Sequence, residues 1–168
     1  ITKCRSVATD WHVFYPFDAT KDKLLYLDLT NAWGNDTYAT AGNFSAAPTS
    51  TLLSLGESTN TNGSGRTFVA YLFATKAGVS KVFSYTGNGT NQTINCGFAA
   101  GARFVLIKRT DALGDWFVWD STRGIVAAND PHLSLNTTVA EVTTDDTIDP
   151  DNSGFIVNQL AATNINVY

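Results

Sequence analysis

Methionine is absent from the 168 residues, and glutamate and glutamine occur only twice each. These are strong helix formers, so their scarcity excludes a helical bundle or coiled coil. Charge is also scarce: 15% of residues are charged and the net charge is −4. With no basic stripe, a nucleic-acid binder held by phosphate contacts is excluded. No apolar run approaches the roughly 18 residues of a membrane helix, so no membrane insertion is expected. Cysteine is limited to Cys4 and Cys96, with no C-x-x-C and no Cys/His cluster, which leaves a zinc site unsupported. Two buried free thiols and a single disulfide both fit that pair, and sequence spacing does not decide between them. Disorder is excluded by 43% hydrophobic residues at low net charge.

Threonine, asparagine and serine fill the gap, with 23, 14 and 11 residues. Valine, isoleucine, threonine and the aromatics together make 62 residues, the types that fit a pleated, half-buried surface. Strand signals recur at short spacing over 11–15, 23–29, 51–55, 67–75, 81–85, 92–98, 103–109, 115–119, 132–135, 155–158 and 164–168. Turn formers separate them, as in Asn62-Gly63-Ser64-Gly65 and Asn152-Ser153-Gly154. The pattern predicts an all-β, antiparallel, jelly-roll-like β-sandwich. The apolar run Phe104-Val105-Leu106-Ile107 predicts a central strand buried on both faces, and 23–29 and 67–75 read the same way. Six N-x-S/T triplets, at Asn35, Asn43, Asn62, Asn88, Asn91 and Asn136, read as exposed turn sequence.

The chain also resembles itself. Lys3 and Asp10-Trp11-His12-Val13 match Lys108 and Asp115-Trp116-Phe117-Val118. Leu27-Asp28-Leu29 matches Leu133-Ser134-Leu135, Ser50-Thr51-Leu52-Leu53 matches Ser153-Gly154-Phe155-Ile156, and Thr59–Asn62 matches Thr163–Asn166. Four blocks in one order predict two tandem related modules, 1–78 and 79–168, both incomplete. The first lacks N-terminal strands and the second its C-terminal strand. The start at Ile1 is then expected to be a cut within a longer tandem array. A module short of a strand exposes a sheet edge, which shared strands, a strand donated by a neighbouring subunit, or unseen termini would close.

The second copy carries Ser84-Tyr85-Thr86-Gly87-Asn88-Gly89, Cys96-Gly97-Phe98, the run from Phe104 to Thr110, Trp116-Phe117-Val118-Trp119-Asp120 and Ser153-Gly154-Phe155. In these it resembles a repeated β-module of phage tail-fibre and other virion surface proteins, often from marine phages. The first copy shows a worn version that ends in Phe68–Ala74. The resemblance implies a place at the virion surface, outside cells, and a structural role. It implies no catalytic residue and no cofactor.

Candidate chemistry is sparse. Asp149, Asp151 and Ser153, followed by Gly154, space oxygens as a calcium loop does, yet Leu160 stands where the bidentate acid belongs. The competing reading is a turn into the strand at Phe155. Trp33, between Asn31 and Gly34, is a candidate exposed aromatic for stacking on sugar. Trp11 and Trp116 sit at equivalent repeat positions and read, with Trp119, Cys4 and Cys96, as structural core. Arg103, Lys108, Arg109 and Arg123 cluster in sequence and read either as cations for an anionic glycan or as strand-flanking charges that face solvent or the sheet ends. His12 and His132 lie in no nucleophile constellation, and no catalytic motif appears. The expectation is a non-enzymatic adhesive segment that forms a homo-oligomer or joins other virion proteins and contacts a host-surface glycan. The alternative is a secreted bacterial carbohydrate-binding or adhesin module polymerising by strand exchange.

Overall fold

The computed structural model describes residues 1–17, 23–35 and 42–158. It is an all-β protein of three antiparallel sheets, with one four-residue helix, α1 (Thr59–Asn62), among the described residues. The chain divides into two compact units. Unit 1 comprises 1–72 and 110–113, and unit 2 comprises 73–109 and 114–168.

Unit 1 holds β1 (Thr2–Cys4), β2 (His12–Tyr15), β3 (Lys23–Tyr26), β4 (Gly34–Asn35) and β5 (Phe68–Ala70) in one sheet, ordered β4-β3-β2-β1-β5. The first strand of the chain therefore sits inside the sheet, between β2 and β5. Cys4, Leu24, Leu25 and Phe44 are its buried apolar residues. Phe44 also faces Leu55 across an isolated antiparallel bridge.

The described residues of unit 2 form two three-stranded sheets. One is ordered β7 (Phe104–Lys108), β8 (Trp116–Asp120), β9 (Leu133–Ser134); the other is β10 (Ile148–Asp151), β11 (Gly154–Val157), β6 (Gln92–Asn95). Alternate residues of both sheets meet in one core: Ile94, Val105, Ile107, Phe117, Trp119, Ile148, Phe155 and Val157. Two sheets closing over one apolar layer is the sandwich arrangement. Along β11 and β6 the backbones approach so closely that a Cβ on Gly154 would lie 2.1 Å from the Ile94 carbonyl oxygen.

Several expected strands differ. The run at 104–107 is an edge strand: Val105 and Ile107 point inward while Phe104 is 61% exposed. The central strand of that sheet is β8, whose residues Trp116 to Trp119 are all buried. A short apolar run cannot by itself distinguish one covered face from two. Residues 67–75 likewise yield only the edge strand β5, and 71–73 are exposed. Residues 51–55 and 81–85 form no ladder. There Phe83 and Tyr85 pack on the core from an irregular segment, and the Thr75 hydroxyl bonds both the amide and the carbonyl of Val82. Strand β10 went unpredicted because it contains Pro150, which is tolerated on the sheet edge where β10 lies. The expected strand at 164–168 and the block at 163–166 lie outside the described residues.

One set of contacts recurs in both units. Thr2 pairs with His12, and Ile107 with Phe117. Lys3 Nζ donates to the Thr9 carbonyl, and Lys108 Nζ to that of Gly114 at 2.7 Å. The Trp11 amide donates to Asp28 Oδ1 at 2.9 Å, and the Trp116 amide to Asn136 Oδ1 at 2.8 Å. Leu27 and Leu135 donate to the carbonyls of Trp11 and Trp116. This corrects the alignment of one block: Leu25-Tyr26-Leu27-Asp28 stands opposite Leu133-Ser134-Leu135-Asn136, two positions from the match made on Leu27 with Leu133. Pairing register, which sequence identity does not see, sets the equivalence.

Candidate functional site: an exposed aromatic cluster

Strands β2 and β3 end with Tyr15 directly opposite Lys23, and Lys23 opposite Asn35 on β4. The side chains of Tyr15 and Lys23 share one face, where Trp33 and Phe17 join them. The Trp33 and Tyr15 ring centroids are 6.3 Å apart, and Tyr15 meets Phe17 edge-on at 5.5 Å. Lys23 Nζ lies 4.6 Å from the Trp33 ring centroid, a cation–π distance. The Trp33 backbone is fixed by donating its amide to the Thr110 carbonyl at 2.9 Å. Trp33 is 37% and Phe17 38% exposed, so the cluster is wet on one side. Aromatic faces beside an ammonium suit a ligand with a C–H face and polar or acidic substituents, such as a sugar.

Trp11 differs from Trp116, with which the sequence pairs it. Trp116 is 6% and Trp119 0% exposed, both in the core, and Trp119 Nε1 donates to Thr147 Oγ1 at 3.1 Å. Trp11 is half-buried instead and stacks on Tyr71 at 6.2 Å between centroids, 24° between planes. Both line an open cleft of about 780 Å³ with Lys3, Arg5, Ser6 and Phe68. The sequence reading missed Tyr71 and Tyr15 as site residues, because each sat inside or beside a predicted strand and only pairing register brings it to a tryptophan.

The calcium candidates do not converge. Asp151 Oδ1 accepts from the Ser153 amide at 2.8 Å and its hydroxyl at 2.6 Å, which closes the β10–β11 turn. Those bonds hold the Asp151 carboxyl below its ordinary range. Asp149 instead shares the Asn158 amide with Asp146, at 3.5 and 2.8 Å. Among the described residues no group of three potential metal ligands forms. Cys4 and Cys96 are free and buried, one in each unit, and burial pushes the Cys96 thiol up. Of the candidate cations, Arg123 is held by Asp120 and by Glu141 at 3.0 Å.

Among the described residues the deepest titratable group is Asp130, with no exposed surface. Its Oδ2 accepts from the Thr147 and Ile148 amides at 2.9 and 3.0 Å, and Oδ1 from Val126 at 3.3 Å. Burial outweighs those bonds and pushes the carboxyl up to about 6. The two histidines are buried too. Each Nδ1 meets a carbonyl two residues earlier, Asp10 for His12 and Asp130 for His132.

No helix among the described residues is long and apolar enough to cross a membrane. A family model described as a domain of unknown function, DUF7483, matches residues 1–166. No curated protein and no solved structure matches the chain.

Proposed function

The chain belongs to the DUF7483 family over nearly its whole length, and from that premise we propose that it is a non-enzymatic, structural and adhesive segment of a virion surface, of the tail-fibre kind, built of two related modules. Its task in this reading is contact with host-surface glycan. The single observation that carries it is the cluster of Tyr15, Phe17 and Trp33 with Lys23, large aromatics held by a sheet yet left outside the core. The recurrent contacts of the two units support the modular part. The likeness to virion surface modules supports the location. A single shallow site binds weakly, and many copies on one particle convert weak sites into avidity.

A glycan array, followed by saturation-transfer NMR on the hits, tests the reading. Binding is expected to fall at least about tenfold in Trp33→Ala, the scale of losing one aromatic anchor, with the melting temperature unchanged. An array without hits, or hits indifferent to Trp33→Ala, would overturn the glycan role.

A further inference from the structure

Two of the six N-x-S/T triplets are also Asn-Gly steps, Asn62-Gly63 and Asn88-Gly89. Before glycine an asparagine amide is open to attack by the next backbone nitrogen, because the following residue has no side chain to shield that nitrogen. The structure sets the two steps apart. Asn62 ends helix α1, its Nδ2 donates to the Gly56 carbonyl at 2.9 Å, and Gly63 is buried. Asn88 and Gly89 are both exposed. Asn88 Oδ1 accepts from the Thr90 amide at 2.9 Å and from the Thr90 hydroxyl at 3.0 Å. Such an Asx turn folds the side chain back over the peptide that follows it. Among the described residues the Gly89 amide has no acceptor of its own. Two other asparagines have part of this arrangement and lack the rest. Asn95 Oδ1 accepts from the Gly97 amide at 2.8 Å, but the next nitrogen, that of Cys96, donates to the Ser153 carbonyl at 2.8 Å. After Asn152 the Ser153 nitrogen donates to Asp151 Oδ1.

We propose that Asn88 is a site of spontaneous, backbone-assisted modification, at which the side-chain amide is lost and an acid takes its place. The Gly89 nitrogen gives up its proton and bonds to Asn88 Cγ. Negative charge then collects on Oδ1, where both Thr90 donors already point, an oxyanion site formed before the reaction. The Cγ–Nδ2 bond breaks, a proton goes to the leaving nitrogen, and ammonia departs from a five-membered imide. Water adds to either imide carbonyl and opens the ring. Addition at Cγ leaves an aspartyl residue, and addition at the backbone carbonyl leaves an isoaspartyl one. Water is the only co-reactant. The chain already holds an acid in the same kind of turn, since Asp151 Oδ1 accepts from the Ser153 amide and hydroxyl. The aspartyl product is therefore expected to keep both Thr90 bonds, now charge-assisted. Either product adds one negative charge between Tyr85, which packs on the core, and strand β6. The proposal is independent of the glycan reading.

The full chain is aged at mildly alkaline pH in heavy-oxygen water and mapped by peptide mass spectrometry. Conversion is expected at Asn88 first, at least about tenfold faster than at Asn62, Asn95 or Asn152. Enzymatic methylation of isoaspartate is expected to mark the same position. In denaturant the two Asn-Gly steps are expected to convert at similar rates, since only the fold separates them. Thr90→Val removes the hydroxyl donor from an exposed turn, keeps the amide donor, and is expected to slow conversion several-fold. Asn88→Gln, whose longer side chain closes no five-membered ring, is expected to abolish conversion at this position. Equal rates at Asn62 and Asn88 in the folded chain would overturn the proposal. So would a difference that persists in denaturant, or a rate indifferent to Thr90→Val.

Discussion

The two units solve one problem with different materials. Unit 2 places Trp116, Phe117, Val118 and Trp119 on one strand and buries all four, with Phe117 and Trp119 in the core between its two sheets. Unit 1, at the corresponding strand, has His12, Val13, Phe14 and Tyr15 and buries only His12 fully: Phe14 meets the buried Phe44, Tyr15 meets Trp33, and the preceding Trp11 stacks on Tyr71. The backbone motif tolerates the change because its anchors are polar and local: a lysine on a loop carbonyl, and an Asx side chain on a tryptophan amide. The side chains that differ separate a unit with enclosed aromatics from one with exposed aromatics. Aromatic surface removed from water stabilises, and aromatic surface left in water is available to a partner.

The largest test of that contrast is truncation at equivalent positions. Trp119→Ala is expected to cost ~3–5 kcal/mol, because the side chain is enclosed. Phe14→Ala, at the half-buried equivalent, is expected to cost less than half of that. Chemical denaturation of both variants checks it, and equal losses would erase the distinction between the units. Gly154→Ala is expected to cost ~3 kcal/mol or more, because its Cβ would meet the Ile94 carbonyl oxygen and no flexible side chain can yield. Hydrogen exchange should show the loss confined to unit 2.

Acidity sharpens the comparison further, since the buried Asp130 has no counterpart among the described carboxyls of unit 1. Its native carboxyl titrates near 6 against 3.8 for a free aspartate, so the native state holds the extra proton between those values. The stability it contributes is full below pH 3.8 and is lost as pH rises through 6, a change of roughly 3 kcal/mol at most. His132 works in the opposite direction. Burial lowers its value, so its contribution is lost as pH falls below 6.5. Carbon-13 NMR of the carboxyls should give Asp130 a midpoint near 6, and a midpoint below 4 would remove the effect. The smallest expected effect is at the shared anchors. Asp28→Ala and Asn136→Ala each strip one hydrogen bond from a tryptophan amide and should each cost ~1 kcal/mol by thermal denaturation.

Composition and periodicity carried the all-β class, the burial of Trp116 and Trp119, and the turn at Asn152-Ser153, because each is a local property of residue type. They could not place Phe104–Ile107 at a sheet edge, since burial on one face or two depends on what lies beyond the strand. They also missed β10, where Pro150 reads as a break. Trp33 was legible as exposed from its glycine- and asparagine-rich surroundings. Its partners Tyr15 and Lys23 were not, because they reach it through the pairing of β2, β3 and β4.

The strand order also fixes when each unit can be completed. β1 is covered by β5, and β6 is held by β11, with Gly154 against Asn95 and Val157 against Gln92. Each unit thus joins an early strand to its last described one, across every other strand of the unit. Such closure is slow, because a long loop must be restrained before the pairing is gained. On a ribosome the early strand of each unit waits with a bare edge until the last one emerges. β5 ends at residue 70 and β11 at residue 157, and unit 1 also takes in 110–113, whose Thr110 carbonyl holds the Trp33 amide. The aromatic cluster around Trp33 therefore waits for Thr110 rather than for β5 alone, and its last backbone anchor still precedes β11 in the chain.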